Sequence, residues 1–202
     1  MKQRILFALV CVALLAITAG SANAGVYVGG AIGQGSADIS AADLDDGSFT
    51  SREVNDTDTD WKVYGGWRLF RFFAVEAAYN DMGEVSAGGT SDGSGFVWAP
   101  GEVSQRASVD GISLATMGVL PLGKFDLFAK VGYLFWDADL TVVNDALQGG
   151  SVRGSEDGED TLYGAGFVWN YTGPGALRLE YELGKIDQLD INSLSAGVTF
   201  MF

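Results

Sequence analysis

From Gly25 onward, apolar residues recur at every second position in about eight separate segments, the period of a strand with two different faces. The alternation predicts strands over roughly 25–35, 60–70, 72–81, 105–120, 124–137, 160–171, 175–184 and 190–202. In the last, Leu194, Ala196, Val198, Phe200 and Phe202 oppose Ser195, Gly197, Thr199 and Met201. The second sets Trp61, Val63, Trp67 and Leu69 against Lys62, Tyr64, Gly66 and Arg68, and the third sets Phe73, Val75, Ala77 and Tyr79 against Ala74, Glu76, Ala78 and Asn80. The fifth groups Phe125, Leu127, Ala129, Val131, Tyr133 and Phe135, leaving Asp126, Lys130 and Gly132 opposite, although Phe128 and Leu134 blur the contrast. Tyr163 to Tyr171 oppose Gly164, Gly166 and Asn170, while Leu177, Leu179, Tyr181 and Leu183 oppose Arg178, Glu180 and Glu182.

The connections alternate in length. Phe70-Arg71, Pro121 to Lys124 and Thr172 to Gly175 are short, and the last two carry glycine and proline turn chemistry, whereas 36–59, 82–104 and 138–159 are long and polar. The fourth long-side connection, 185–189, is brief. This pattern predicts an all-β fold, an eight-stranded antiparallel up-and-down β-barrel. A soluble barrel shares the period with its apolar face inward, so the other face decides. Here it is mostly Gly, Ala and Ser with isolated charges, the filling of a narrow lumen, while Trp61, Tyr79, Phe135, Trp169, Tyr171 and Phe202 near strand ends suit the aromatic girdles of a lipid-facing wall.

The amino terminus agrees. Lys2 and Arg4 precede an apolar run from Ile5 to Ile17 and a small-residue site at Ala22-Asn23-Ala24, which reads as a secretory signal over 1–24 cleaved after Ala24. The run is shorter than the roughly 20 residues a membrane helix needs, and no later stretch qualifies, so the remaining 25–202 is expected to be one transmembrane barrel domain in the outer membrane of a Gram-negative cell. Cys11, the single cysteine, leaves with the signal, so no disulfide framework is expected. Short turns belong in the periplasm and long loops outside, which puts both termini in the periplasm. With 26 acidic against 12 basic side chains the chain carries −14, the wrong footprint for nucleic acid.

The segment Asp60-Trp-Lys-Val-Tyr-Gly-Gly-Trp-Arg-Leu-Phe-Arg-Phe-Phe-Ala-Val-Glu-Ala-Ala-Tyr79 resembles the second and third strands of the OmpA-type small outer-membrane β-barrel family. The terminal Phe200 and Phe202 resemble that family's assembly signal, read by the outer-membrane assembly machinery. The resemblance implies a small monomeric barrel, surrounded by outer-membrane lipid and lipopolysaccharide, whose lumen is blocked by a salt-bridged core that leaves at most a small gated pore. The family's peptidoglycan-binding domain has no counterpart in the sequence, so cell-wall tethering is not carried over.

Lys62, Arg68, Glu76, Lys130, Arg178, Glu180 and Glu182 are then the candidate lumen charge network. Counting from the short turns puts Glu76, Lys130, Arg178 and Glu180 at similar heights, where lone charges would each cost several kcal/mol to desolvate and pairing makes them tolerable. The network is either a structural plug or a gate whose pairs exchange partners. Enzyme chemistry is not expected. The chain has no histidine, which outer-membrane hydrolases and acyltransferases of this architecture use as a base, and Ser-His-Asp logic cannot be assembled. No cofactor or metal is implied either: Asp56, Asp58 and Asp60 alternate like a calcium loop, but Trp61 stands where that loop needs glycine. The acidic clusters read first as solvated loops and, in a weaker reading, as carriers of divalent cations against lipopolysaccharide phosphates. Phe96 and Trp98 lie in a Gly- and Ser-rich loop and are candidate contacts for a host or phage surface ligand. The expected function is a structural envelope barrel with weak small-solute permeation. The alternatives are a surface adhesin or receptor working through its long loops, and an OmpW-like conduit for small hydrophobic molecules.

Overall fold

The computed structural model describes residues 25–37, 48–55, 57–94, 99–144, 151–186 and 189–202, so the 1–24 segment lies outside the described residues, as do Asp56, Phe96 and Trp98. The strands are β1 (Gly25–Ala37), β2 (Phe49–Asn55), β3 (Thr57–Phe70), β4 (Phe73–Ser91), β5 (Gly101–Leu122), β6 (Phe125–Asn144), β7 (Ser151–Thr172), β8 (Gly175–Ile186) and β9 (Leu189–Met201). Every ladder is antiparallel. The β1–β9 and β4–β5 ladders join the ends of the sheet into a closed ring of eight strands, leaving no unpaired backbone for lipid to meet. β2 pairs with the edge of β4 that β3 occupies lower down, Asn55 opposite Ser86 and Trp61 opposite Asp81, so it prolongs the place of β3 in the wall.

The period of two sorts the side chains. Trp61, Trp67, Leu114, Phe125, Val131, Tyr133, Phe135, Tyr163, Trp169, Leu179 and Phe200 all point outward and are exposed, whereas Tyr64, Met117, Phe128, Leu134 and Trp136 are buried in the lumen. An exposed apolar belt around a charged, buried interior is the inverse of a soluble barrel, and it requires lipid outside. Two-residue turns at Arg71-Phe72, Gly123-Lys124 and Gly173-Pro174 close the narrow end. Gly123 and Gly173 take φ of 73° and 60°, a left-handed backbone that resists any residue with a Cβ. At the seam the Phe202 amide donates to the Val26 carbonyl at 2.8 Å, locking the last residue onto the first strand.

The wide end departs from expectation. The segments 82–104 and 138–159, read from sequence as loops, are largely strand: β4 runs to Ser91, β5 starts at Gly101, β6 continues to Asn144 and β7 begins at Ser151. The β6–β7 ladder persists to Val143 opposite Ser151, while the β7–β8 ladder stops at Leu162 opposite Gly184. The wall is therefore tall along β4 to β7 and low along β8, β9 and β1. Above the bilayer both faces meet water, so the alternation that marks a strand in sequence disappears, as in Ser151-Val-Arg-Gly-Ser-Glu-Asp-Gly-Glu-Asp160. The backbone groups still need partners, and the ladder supplies them. β4 bends at this level through a bulge at Gly83 in its ladder with β5, φ 78°, whose amide bonds Asp81 Oδ1 at 3.1 Å while the Glu84 amide bonds Asp58 Oδ2 of β3 at 2.7 Å. The Glu84 and Thr59 amides hold the Asp58 carboxyl below the usual carboxylate range.

Just above the outer aromatic belt, Asp81, Asp110, Asp137 and Asp157 stand directly opposite one another across β4, β5, β6 and β7. Partial desolvation, then the neighbouring carboxylates Asp110, Asp157 and Asp139, raise the Asp137 carboxyl. Like charges directly opposite destabilise a ladder by up to about 1 kcal/mol. Asp137→Asn should therefore stabilise the barrel by a few tenths of a kcal/mol in urea unfolding at neutral pH. Because the folded-state pKa of Asp137 is raised, the repulsion is present above that pKa and relieved as pH falls through it, so the advantage of the variant should shrink on acidification. A single cysteine replacing Arg153 should react with an impermeant maleimide on intact cells, and one replacing Lys124 should not.

Candidate functional site

Arg178, Glu180 and Glu182 occupy successive inward positions of β8, and the register sets Gly166 opposite Glu180 and Gly164 opposite Glu182 on β7. On its other edge β7 sets the same glycines opposite Phe128 and Lys130 of β6. Two glycines thus leave a trough between two strands with long inward side chains. A Cβ at Gly164 would stand 2.9 Å from Lys130 Cε, and one at Gly166 would stand 2.7 Å from Phe128 Cζ. Through this trough Lys130 crosses β7 to reach Glu182 at 2.6 Å and Glu180 at 2.8 Å, with Glu76 at 3.5 Å.

The remaining charges close the set. Arg178 holds Glu76 with both terminal nitrogens, at 2.6 and 3.0 Å, and Glu180 at 2.9 Å. Lys62 from β3 pairs with Glu180 and Glu182. The Arg178 guanidinium packs against the rings of both Tyr64 and Phe128, 4.4 and 4.5 Å from their centroids, so aromatic faces cover the charge cluster. Tyr27 donates to Glu76 at 3.0 Å, and Tyr64 shares a 2.8 Å hydrogen bond with Thr199. Lys62, Glu76, Lys130, Arg178, Glu180 and Glu182 are all buried. Lys62, Lys130 and Arg178 balance Glu76, Glu180 and Glu182 in charge.

Six of the seven charges proposed from sequence meet here. Arg68 does not: it lies nearer the turns and pairs with Asp126 at 3.0 Å. Tyr27, Tyr64 and Phe128 are participants that sequence reasoning left out. Their signal was an aromatic residue on the lumen face, and the register shows its complement, a glycine directly opposite, in Tyr27 with Gly66, Tyr64 with Gly29 and Phe128 with Gly166. Phe200 and Phe202 face outward at the rim formed by the short turns, well exposed.

The network lies between two cavities that share no lining residue. Above it a cavity of about 430 Å³ opens toward the wide end, with Lys62 and Glu182 in its floor. Below it a pocket of about 70 Å³ is lined by Tyr27, Arg68, Met117, Asp126, Phe128 and Arg178. Chemically the arrangement is a septum of matched ions.

Removing one member of a buried ion pair costs roughly 3 to 5 kcal/mol, because the partner is left charged and dry. Lys130→Met should therefore lower unfolding free energy by that order in lipid-supported denaturant titrations. Adding Glu182→Gln should recover part of the loss. Full recovery is not expected, since Lys130 serves three carboxylates, and the non-additivity should exceed 0.5 kcal/mol in a double-mutant cycle, as for contacting residues, by about that order.

Comparison with known proteins agrees with this architecture. Solved structures with a similar fold include the attachment invasion locus protein Ail of Yersinia pestis, in complex with the heparin analogue sucrose octasulfate, at TM-score 0.57 and 10% identity over 90% of this chain and 100% of that one. The N-terminal β-barrel domain of Pseudomonas aeruginosa OprF is similar at TM-score 0.53 and 12% identity over 88% and 97% of the two chains. Pseudomonas aeruginosa OprG is similar at TM-score 0.52 and 12% identity over 90% and 96%. No curated protein matches the sequence. The OmpA-like transmembrane domain family matches residues 21–201, and it is a family of outer-membrane barrels, not of enzymes. The chain belongs to the OmpA-like transmembrane domain family.

Proposed function

We propose that the protein is a structural outer-membrane barrel whose lumen is closed to solutes by the Lys62, Glu76, Lys130, Arg178, Glu180 and Glu182 network. The observation that carries this reading is the septum itself: matched ions packed under aromatic rings, with separate cavities on either side. Each charge is held by more than one partner, so opening a path would require several pairs to break together. A plug is favoured over a gate for that reason. At bilayer height, ladders join each neighbouring pair of staves, which supports a closed wall over a lateral conduit for small hydrophobic molecules.

The tall β4–β7 wall favours a second role as a surface receptor, because it carries ordered structure beyond the membrane. Ail was solved with a polyanion, but the outer part of β7 here bears Glu156, Asp157, Glu159 and Asp160, which would repel one. A cationic or neutral surface ligand fits this wall better. Phe200 and Phe202 serve as the assembly signal in this reading, at the strand that closes the ring.

Refolded protein in planar bilayers should show no steady conductance at neutral pH, and a persistent open level in the wild type would overturn the closed-lumen reading. Lys130→Met should introduce at most brief openings. Deleting Phe202 should lower outer-membrane yield while periplasmic export is unchanged, measured by fractionation.

A further inference from the structure

The cavity above the septum is far larger than the pocket below it. Its walls are apolar, built from Leu134, Trp136 and Leu162 with Met82, Val109 and Ile191 packed against them. At about 430 Å³ the cavity falls in the range of small-molecule sites.

Its floor is polar and incompletely satisfied. Asp60 is buried beside the network, and its Oδ2 accepts a hydrogen bond from Ser193, but its Oδ1 has no hydrogen-bond partner. Ser195 Oγ, also buried and also lining the cavity, has none either. The septum is already neutral without Asp60, so Asp60 is a carboxylate in excess. Lys62 is the one cation lining the cavity among the described residues, beside Asp60, Asp81, Glu156 and Glu182, and it is engaged by Glu180 and Glu182. Trp136 stands in the wall with its indole N–H fixed on Asp160 at 2.9 Å, leaving the ring to the cavity.

We infer that this cavity binds a small amphipathic cation, an apolar body with an amine head group, with the head on Asp60 and the body against Leu134, Trp136 and Leu162. An ammonium supplies the donors that Asp60 Oδ1 lacks and cancels the excess charge. A carboxylate or sulfate on the same body would meet uncompensated acidity, and a neutral hydroxyl could donate to Asp60 Oδ1 but would leave its charge uncancelled, a weaker bond than a charge-assisted one. The site shares with the closed-lumen reading only its floor. Conductance tests that reading and ligand titration tests this one, so either can fail alone.

The probes are 2-phenylethylammonium, its neutral analogue 2-phenylethanol and the anion 3-phenylpropanoate, titrated into the protein in nanodiscs of zwitterionic lipid, with empty discs as the control for partitioning. The readout is the Trp136 indole N–H resonance, assigned by Trp136→Phe. The ammonium should give a saturable shift with an affinity about tenfold or more above the alcohol, and the propanoate should give none. Asp60→Asn should reduce the ammonium to the affinity of the alcohol, and Ala138→Trp, which fills the cavity, should abolish both. Equal affinities for the three probes on the wild-type protein would overturn the inference without recourse to any variant. So would an Asp60→Asn protein that binds the ammonium as tightly as the wild type.

Discussion

Ionised side chains cannot stay in a water-poor lumen without partners, and most of this barrel can be understood from how that constraint is met. An eight-stranded ring is just wide enough for side chains from opposite walls to touch. Glu76 on β4 and Arg178 on β8 meet directly, and Lys130 on β6 reaches two carboxylates of β8 across the intervening strand. The reach depends on Gly164 and Gly166, since any Cβ there would occupy the space of Lys130 or Phe128. Electrostatics in the centre and small residues in the wall are thus one design, and neither works without the other.

The same septum divides the lumen into two cavities. Below it the lumen is narrow and filled by Tyr27, Met117 and Phe128; above it Leu134, Trp136 and Leu162 line a larger cavity. The tall wall of β4 to β7 makes that possible, because its inner face continues past the point where β8, β9 and β1 have ended. A cavity floored by ions and walled unequally by tall and low strands follows from unequal strand lengths in one closed ring.

Outside the ring the controlling medium changes with height. At bilayer level the wall is Leu, Val, Phe, Trp and Tyr, and hydrogen-bonded closure is obligatory. Immediately above, the row from Asp81 to Asp157 tolerates mutual repulsion because water and counterions screen it. The transition is abrupt: Phe135 and Asp137 are two residues apart on one face of β6.

The membrane-spanning staves were legible in the chain because lipid on one side and a packed lumen on the other impose a strict period of two, as in Leu177 to Leu183 against Arg178 to Glu182. Lumen orientation for Lys62, Glu76, Lys130, Arg178, Glu180 and Glu182 came from the same parity. Where water bathes both faces, as over Ser151 to Asp160, parity carries no signal, and only cross-strand pairing with β6 identified those residues as strand. Pairing across the lumen was equally hidden. Parity says that Arg68 and Arg178 both point inward, but the register and strand tilt decide that one meets Asp126 and the other Glu76. Asp60 read as part of an alternating acidic run; its place as the unmatched carboxylate under an apolar cavity exists only once β3, β8 and β9 are closed around it, because charge balance is a property of the assembled lumen and not of any one strand.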